Sequence, residues 1–324
     1  MKSTEQLLEL ISKEINQQKY GVEPDELYEP IRYIMDLGGK RLRPLLATLS
    51  YSLFKDDVKS IIPQAIAVEV FHNFTLMHDD IMDEAPLRRN KPTVHEKWNN
   101  NTAILSGDVM LVKAYEMIMS EEHPRIMQVL KAFNRCAAEV CEGQQMDMTF
   151  ETRKTVDEKE YIEMIKLKTA VLLGFSLEMG GLLADTTEEN GAALRNFGIN
   201  IGIGFQLKDD LLDVYADAEK FGKQVGGDII SNKKTFLLIR ALELAKGKQK
   251  QELENWISKT AFDVKEKVSA VTEIYNQLKI KELTEELMNA YFIKGFESLK
   301  AVEAPLHKKA ILKKFAEGLI NREK

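Results

Sequence analysis

Residues 125–304 contain no proline, although prolines stand at positions 24, 30, 44, 63, 86, 92, 124 and 305. Proline lacks a backbone N–H and clashes with the preceding turn, so a gap this long suits a succession of helices. The segments "RIMQVLKAFNRCAAEVCEGQQ" and "YIEMIKLKTAVLLGFSLEMGG" carry apolar residues at three- and four-residue spacing, the period of one helix face. Alternating β-branched runs bounded by turn residues are nearly absent. The expected fold is all-α. Breaks between helices are expected at "DLGGKRLRP", "DEAPLRRNKPT", "SEEHPR", "ETRKTVDEK" and "KFGKQVGGDIISNKKT". No low-complexity linker divides the chain, so residues 1–324 read as one domain.

Composition narrows the function. The chain is 44% hydrophobic and 30% charged, enough apolar material for a sizeable core, and its net charge of −6 comes with no basic tail. A nucleic-acid surface would show as a basic stripe, so none is expected. "MKSTEQLLELISKEINQQ" lacks the apolar centre of a signal peptide, and no stretch of about 20 residues is apolar enough to span a bilayer. Two cysteines, Cys136 and Cys141, are too few for a disulfide framework, so a cytoplasmic location is expected. Five histidines are too scattered for a zinc site.

Chemistry concentrates in "LMHDDIMDEAPLRRNK", residues 76–91. A helix advances about 100° per residue, which puts Asp79 and Asp83 on one face and Asp80 to the side. Pro86 should end this helix near Ala85. The acids then sit at its C-terminal end, where negative charge is least favoured, so a compensating cation is expected. A lone motif of this kind would read as a solvated acidic face. The spacing recurs in "FQLKDDLLDVYAD", where Asp209, Asp210 and Asp213 are flanked by Gln206 and Asp217 and set among apolar residues. Two copies argue for a shared chemical role. Carboxylates without His or Cys partners suit a hard cation, Mg²⁺ or Mn²⁺, which completes its shell with water and phosphate. Facing clusters would hold a polyphosphate through bridging metals, and Arg88 and Arg89 can fork onto phosphate oxygens. Lys40, Arg41 and Arg43 follow two glycines in "GGKRLRP". Lys223, Lys233 and Lys234 belong to "FGKQVGGDIISNKKT", and neither segment is a P-loop.

Together, "DDIMD…LRRNKPTVH", "FQLKDDLLDVYAD", "GGKRLRP", "EGQQMD", "LKTA" and "GKQVGGD…NKKT" resemble, in order, the motifs of the trans-isoprenyl diphosphate synthases. The resemblance runs from about residue 30 to 240. It implies a single-domain bundle of antiparallel helices around a central apolar cavity, the isoprenoid synthase fold, and usually a homodimer. Asp79 and Asp83 would ligate one magnesium pair with Asp80 in support, and Asp209, aided by Asp210 and Asp213, a third ion. Gln144 and Asp147 would help hold this assembly. Arg88, Lys168, Lys223 and Lys233 would grip the allylic diphosphate, whether dimethylallyl, geranyl or farnesyl. Lys40, Arg43, His72 and Arg89 would bind isopentenyl diphosphate, and Thr169 and Gln206 would lie near the reacting carbons. Asn90 stands where the family commonly has Gly, and Asn tolerates the left-handed conformation that such a turn needs. Arg322 could approach the second diphosphate.

The implied reaction is ionisation, condensation and elimination. Phe74 lies five residues before Asp79, roughly 7.5 Å down the helix axis. By family precedent it would stop the growing chain, with Thr75 beside it and Phe71 one turn deeper, where core packing is the competing reading. These features resemble enzymes making the twenty-carbon geranylgeranyl product, with farnesyl diphosphate as the alternative. Gly198, Gly202 and Gly204 in "FGINIGIGF" suit close helix packing or room for substrate. A terpene cyclase would lack a second DDxxD and the need for "GGKRLRP". An HD-type phosphohydrolase would need further histidines, and a regulatory partner subunit would typically lose acidic ligands.

Overall fold

The computed structural model describes residues 2–216 and 225–320. Asp217, Lys223 and Arg322, singled out above, lie outside the described residues. Contacts divide the chain into two compact units. One comprises Met1–Arg135, Phe175–Arg195 and Val302–Leu312, the other Cys136–Gly174, Asn196–Ala301 and Lys313–Lys324.

The first unit contains α1 (Thr4–Gln17), α2 (Asp25–Asp36), α3 (Leu42–Tyr51), α4 (Ile62–Met82), α5 (Val94–Lys97) and α6 (Asn100–Ile118). The Ser3 hydroxyl accepts from Gln6 N while the Gln6 side chain accepts from Ser3 N, a capping box that starts α1. Pro30 lies inside α2, an exception to the pattern of prolines at helix ends. The 21-residue α4 buries most of its length and packs against α1, α2, α3 and α6. A helix apolar on nearly every side is a core helix. It stops at Met82, earlier than Pro86 alone would require: Asp83 caps it and Glu84 turns left-handed at φ +49°. The next residues form the only strand pair among the described residues, Leu87–Arg88 against Lys91–Pro92. Arg89 and Asn90 both take positive φ, +53° and +62°, the backbone of a two-residue type I′ hairpin. Asn90 therefore fulfils the turn expected of it.

The helices α7 (Ile126–Thr152), α8 (Glu158–Ile165), α9 (Val171–Leu183) and α10 (Glu188–Tyr215) follow. The breaks expected at "SEEHPR" and "ETRKTVDEK" are both present, and Asp157 with Glu160 forms the capping box of α8. The periodicity of "YIEMIKLKTAVLLGFSLEMGG" suggests one helix, but Lys166–Ala170 is a π-helical turn between α8 and α9. In the second unit Gly198 and Gly202 allow close packing. A Cβ at Gly198 would meet Gly174 Cα at 2.7 Å, and one at Gly202 would meet Ala170 Cβ at 2.7 Å. Later helices, Gly227–Ile230, Phe236–Leu244, Gly247–Ser258, Val264–Gln277 and Ile280–Ala301, share a core that includes Leu237, Leu253, Trp256, Ile274 and Tyr275. No helix of the described residues is long and apolar enough to cross a membrane.

Candidate active site

In the first unit the end of α4 carries the first aspartate motif. Asp80 is buried, Asp79 half-buried and Asp83 exposed. Arg88 supplies the compensating cation: its Nε and Nη2 fork onto the two Asp80 carboxylate oxygens at 2.8 and 2.7 Å. The tight hairpin brings Arg88 back over the helix end, and Thr93 fastens it by donating to the Ala85 carbonyl at 2.7 Å. In this structure Arg88 thus faces Asp80, while Arg89 donates to the Gly38 carbonyl. That contact draws the glycine loop to the hairpin, and a Cβ on Gly39 would meet Arg89 Nη2 at 2.8 Å.

The "GGKRLRP" cations divide their work. Arg41 is buried, adopts φ +48° at the start of α3, pairs with Glu69 at 2.9 Å and donates to the Met35 carbonyl at 2.6 Å. It ties the loop to α4. Lys40 is exposed and Arg43 half-buried. Desolvation, together with nearby Arg43, Arg89, Arg88 and Arg41, pushes the His72 imidazole well below its usual pKa. The structure therefore gathers His72, Arg43 and Arg89 around a positive region that a neutral imidazole tolerates and an anion would relieve.

Along α4 away from the acids runs a ladder of rings. His78 packs on Phe74 at 4.8 Å, Phe74 on Phe71 at 5.6 Å, and Phe71 on Phe133 at 5.0 Å. Phe71 is 1% exposed and belongs to the core, whereas Phe74 and Thr75 keep partial exposure.

The second unit holds the second motif. Asp210 is buried; its oxygens accept from the Tyr161 hydroxyl and from Gln206 Nε2, the latter at 3.2 Å. Burial pushes its pKa up to about 6, against the lowering effect of those two donors. Asp213 accepts from Asp228 N at 2.9 Å and so holds the start of the short helix at Gly227. Asp228 itself is pushed up to about 7, first by burial, with Lys233 opposing and Asp210, Asp213 and Asp147 adding to the rise. Lys168 Nζ reaches Asp147 at 2.6 Å. The π turn presents Lys168 and Thr169 beside α7, where Gly143 comes so close that a Cβ would collide with the Lys168 backbone. Gln144 and Thr169 are half-buried, and Asp209 is exposed.

Tyr161, Asp228 and Gly143 thus contact or border the second motif's candidate residues, although motif spacing did not single them out. Asp228 and Gly143 lay inside the quoted "GGD" and "EGQQMD" segments; Tyr161 had no comparable signal. Among the described residues no three His, Cys, Asp or Glu side chains form a ready-made metal cage. That is compatible with magnesium, which takes one or two carboxylates and completes its shell with water and phosphate. The donor set fits such an ion: crowded carboxylates, with Asp210 and Asp228 raised by burial, are the groups a divalent cation would hold in their charged form.

A family model described as polyprenyl synthetase matches residues 24–277. A geranylgeranyl diphosphate synthase of Methanosarcina mazei is 39% identical over 303 residues, 93% of this chain and 91% of that protein. A short chain isoprenyl diphosphate synthase of Methanocaldococcus jannaschii is 42% identical over 270 residues, 83% of this chain and 81% of that one. A crystal structure of a geranylgeranyl pyrophosphate synthase superposes with a TM-score of 0.94 at 42% identity and covers 100% of both chains. The all-α architecture is therefore that of the prenyl synthase structures.

Proposed function

The chain belongs to the polyprenyl synthetase family, and from that premise we propose that it is a magnesium-dependent short-chain prenyltransferase making geranylgeranyl diphosphate. Both aspartate motifs are intact in sequence, and the arginine-rich surroundings of His72 supply a second place for an anion. That pairing of two acidic motifs with a separate cationic site carries the reading. A condensing enzyme has two diphosphates to hold; a cyclase or a phosphohydrolase has one. We read residues 1–324 as one catalytic domain that works as a homodimer in the cytoplasm.

Asp79 and Asp83 would hold two magnesium ions, and Asp209, with Asp210 and Asp213, a third; Mn²⁺ can substitute. Bound there, the metal stabilises negative charge developing on the leaving diphosphate. Arg88, Lys168, Lys223 and Lys233 bind the allylic diphosphate and offset the same charge. Lys40, Arg43, His72 and Arg89 bind isopentenyl diphosphate. The allylic C–O bond breaks with its electron pair leaving on the diphosphate. The isopentenyl double bond then attacks the allylic carbon, and the resulting cation loses a proton to the released diphosphate. Gln144 and Asp147 position this assembly, while oxygens of Lys168, Thr169 and Gln206 face the cationic carbon. Apolar walls keep water from quenching it.

Phe74, with Thr75 beside it, sets the length of the product, so Phe74→Ala should lengthen it; an unchanged product distribution would remove Phe74 from that role. Product analysis tests the whole reading. Purified protein is incubated with Mg²⁺, isopentenyl diphosphate and, separately, dimethylallyl, geranyl and farnesyl diphosphates. Twenty-carbon product from the farnesyl primer is the expected result. Termination at fifteen carbons would make the enzyme a farnesyl diphosphate synthase, and no condensation by folded protein would favour a partner-subunit role.

A further inference from the structure

Adjacent lysines in the second unit serve different surroundings. Lys233 acts on Asp210 and Asp228, whereas Lys234 Nζ donates to the Glu151 carbonyl at 3.3 Å. No carboxylate of the described residues lies within ion-pair distance of Lys234. Its ammonium is partly desolvated, which lowers its pKa. The Glu151 carboxylate opposes that lowering from outside ion-pair distance, so the half-buried ammonium has electrostatic compensation but no direct carboxylate contact.

Lys234 lines a cavity of about 730 Å³, a volume within the roughly 300–1,000 Å³ common for small-molecule sites. Buried Val156, Leu238 and Ile239, together with Leu242 and Ile257, give it an apolar wall. Formal charges around the cavity cancel, four basic residues against four acidic ones, but most of the acids have other contacts. Glu160 pairs with Arg153 at 2.7 Å, and Glu243 with Arg240 at 2.5 Å. The Asp157 carboxylate caps α8 by accepting from Glu160 N at 2.8 Å. The charges of the cavity lining without an ion pair are Lys154, Lys234 and Lys250 against Asp157 and Glu254.

We infer that this cavity is a binding site for an amphipathic anion, with a phosphate or carboxylate head at Lys234 and a short aliphatic body along Leu238, Leu242 and Ile257. Lys154 and Lys250 add long-range attraction for the head. The site is separate from the aspartate motifs and needs no metal, because its cations contact the anion directly. The inference goes beyond the prenyl-transfer reading and stands without it.

Hexyl phosphate is a suitable probe, and EDTA keeps metal-dependent binding out of the measurement. The chain has two tryptophans; Trp98→Phe leaves Trp256, the neighbour of Ile257, to report by fluorescence. Arg89→Ala in the same background weakens the arginine cluster near His72 as a competing anion site. Saturable binding is expected, weakened at least tenfold by Lys234→Gln and retained by Lys234→Arg. Leu242→Glu, in the apolar wall, should weaken it independently of how well Lys234→Gln folds. Inorganic phosphate should bind at least tenfold less tightly than hexyl phosphate, since it leaves the apolar wall bare. Absence of saturable binding, indifference to Lys234→Gln and Leu242→Glu in folded protein, or equal affinity for inorganic phosphate would each overturn the assignment.

Discussion

Asp80 and Asp210 hold the same place in their motifs, the second aspartate of each pair, and both are buried, at 3% and 4% exposure. Their partners differ in kind. Asp80 is forked by the guanidinium of Arg88, while Asp210 is held by the phenol of Tyr161 and the amide of Gln206. Burial raises Asp210 to about 6 even though both of its donors favour the charged form. Identical spacing thus hides two electrostatic solutions. In both, the second aspartate is the buried member of the motif, while Asp79 and Asp213 are half-buried and Asp83 and Asp209 exposed.

The sharpest way to break this comparison is to remove the first acid of each motif. Asp79→Asn and Asp209→Asn should each lower kcat by on the order of 10²–10³, the scale of losing one electrostatic contact to a transition state. Steady-state kinetics with farnesyl primer reads this, and a loss in only one of them would end the parity of the motifs. Next comes the packing of the second cluster. Gly143→Ala forces a Cβ against the Lys168 backbone, so urea unfolding should show a loss of up to ~3 kcal/mol, the range of overpacking in a tight contact.

The anchors themselves give smaller effects, and their ratio sharpens the contrast. Arg88→Met leaves the buried Asp80 carboxylate without its guanidinium and should cost ~2 kcal/mol, discounted from a fully buried pair because Arg88 retains partial exposure. Tyr161→Phe removes one neutral donor and should cost about 1 kcal/mol. Equal costs would show that the two anchors are equivalent after all. A pH-dependent effect belongs to His72, whose depressed pKa favours the neutral ring in the folded state. Stability should therefore fall as pH drops below the unfolded-state value of about 6.5, by no more than about 1.4 kcal/mol per pH unit. His72→Gln should flatten that slope in pH-dependent unfolding.

Much of this was legible because the governing signals are local. Prolines and breaks such as "ETRKTVDEK" mark helix ends, and a four-residue interval puts Asp79 and Asp83 one turn apart wherever the helix lies. The demand for a cation at the end of α4 followed from its dipole, although which arginine meets it did not. That choice depends on the left-handed Arg89 and Asn90 folding the hairpin back, a tertiary outcome. Arg41 looks like its neighbours Lys40 and Arg43 in sequence, yet its pairing with Glu69 makes it structural. The π turn at Lys166–Ala170 escaped because one extra residue in a turn scarcely disturbs an apolar period. Gly143 and Asp228 escaped for a related reason: close approach and mutual burial are made by residues distant in the chain.

The most direct test of the central claim, that both acidic motifs bind one metal-held diphosphate, is calorimetric titration of inorganic pyrophosphate into the protein. It is run with Mg²⁺ and with EDTA, for the native sequence and for Asp79→Asn and Asp209→Asn. The account predicts binding that requires Mg²⁺ and is weakened by either substitution. Pyrophosphate binding of equal strength in EDTA, or unaffected by one of the two substitutions, would contradict it.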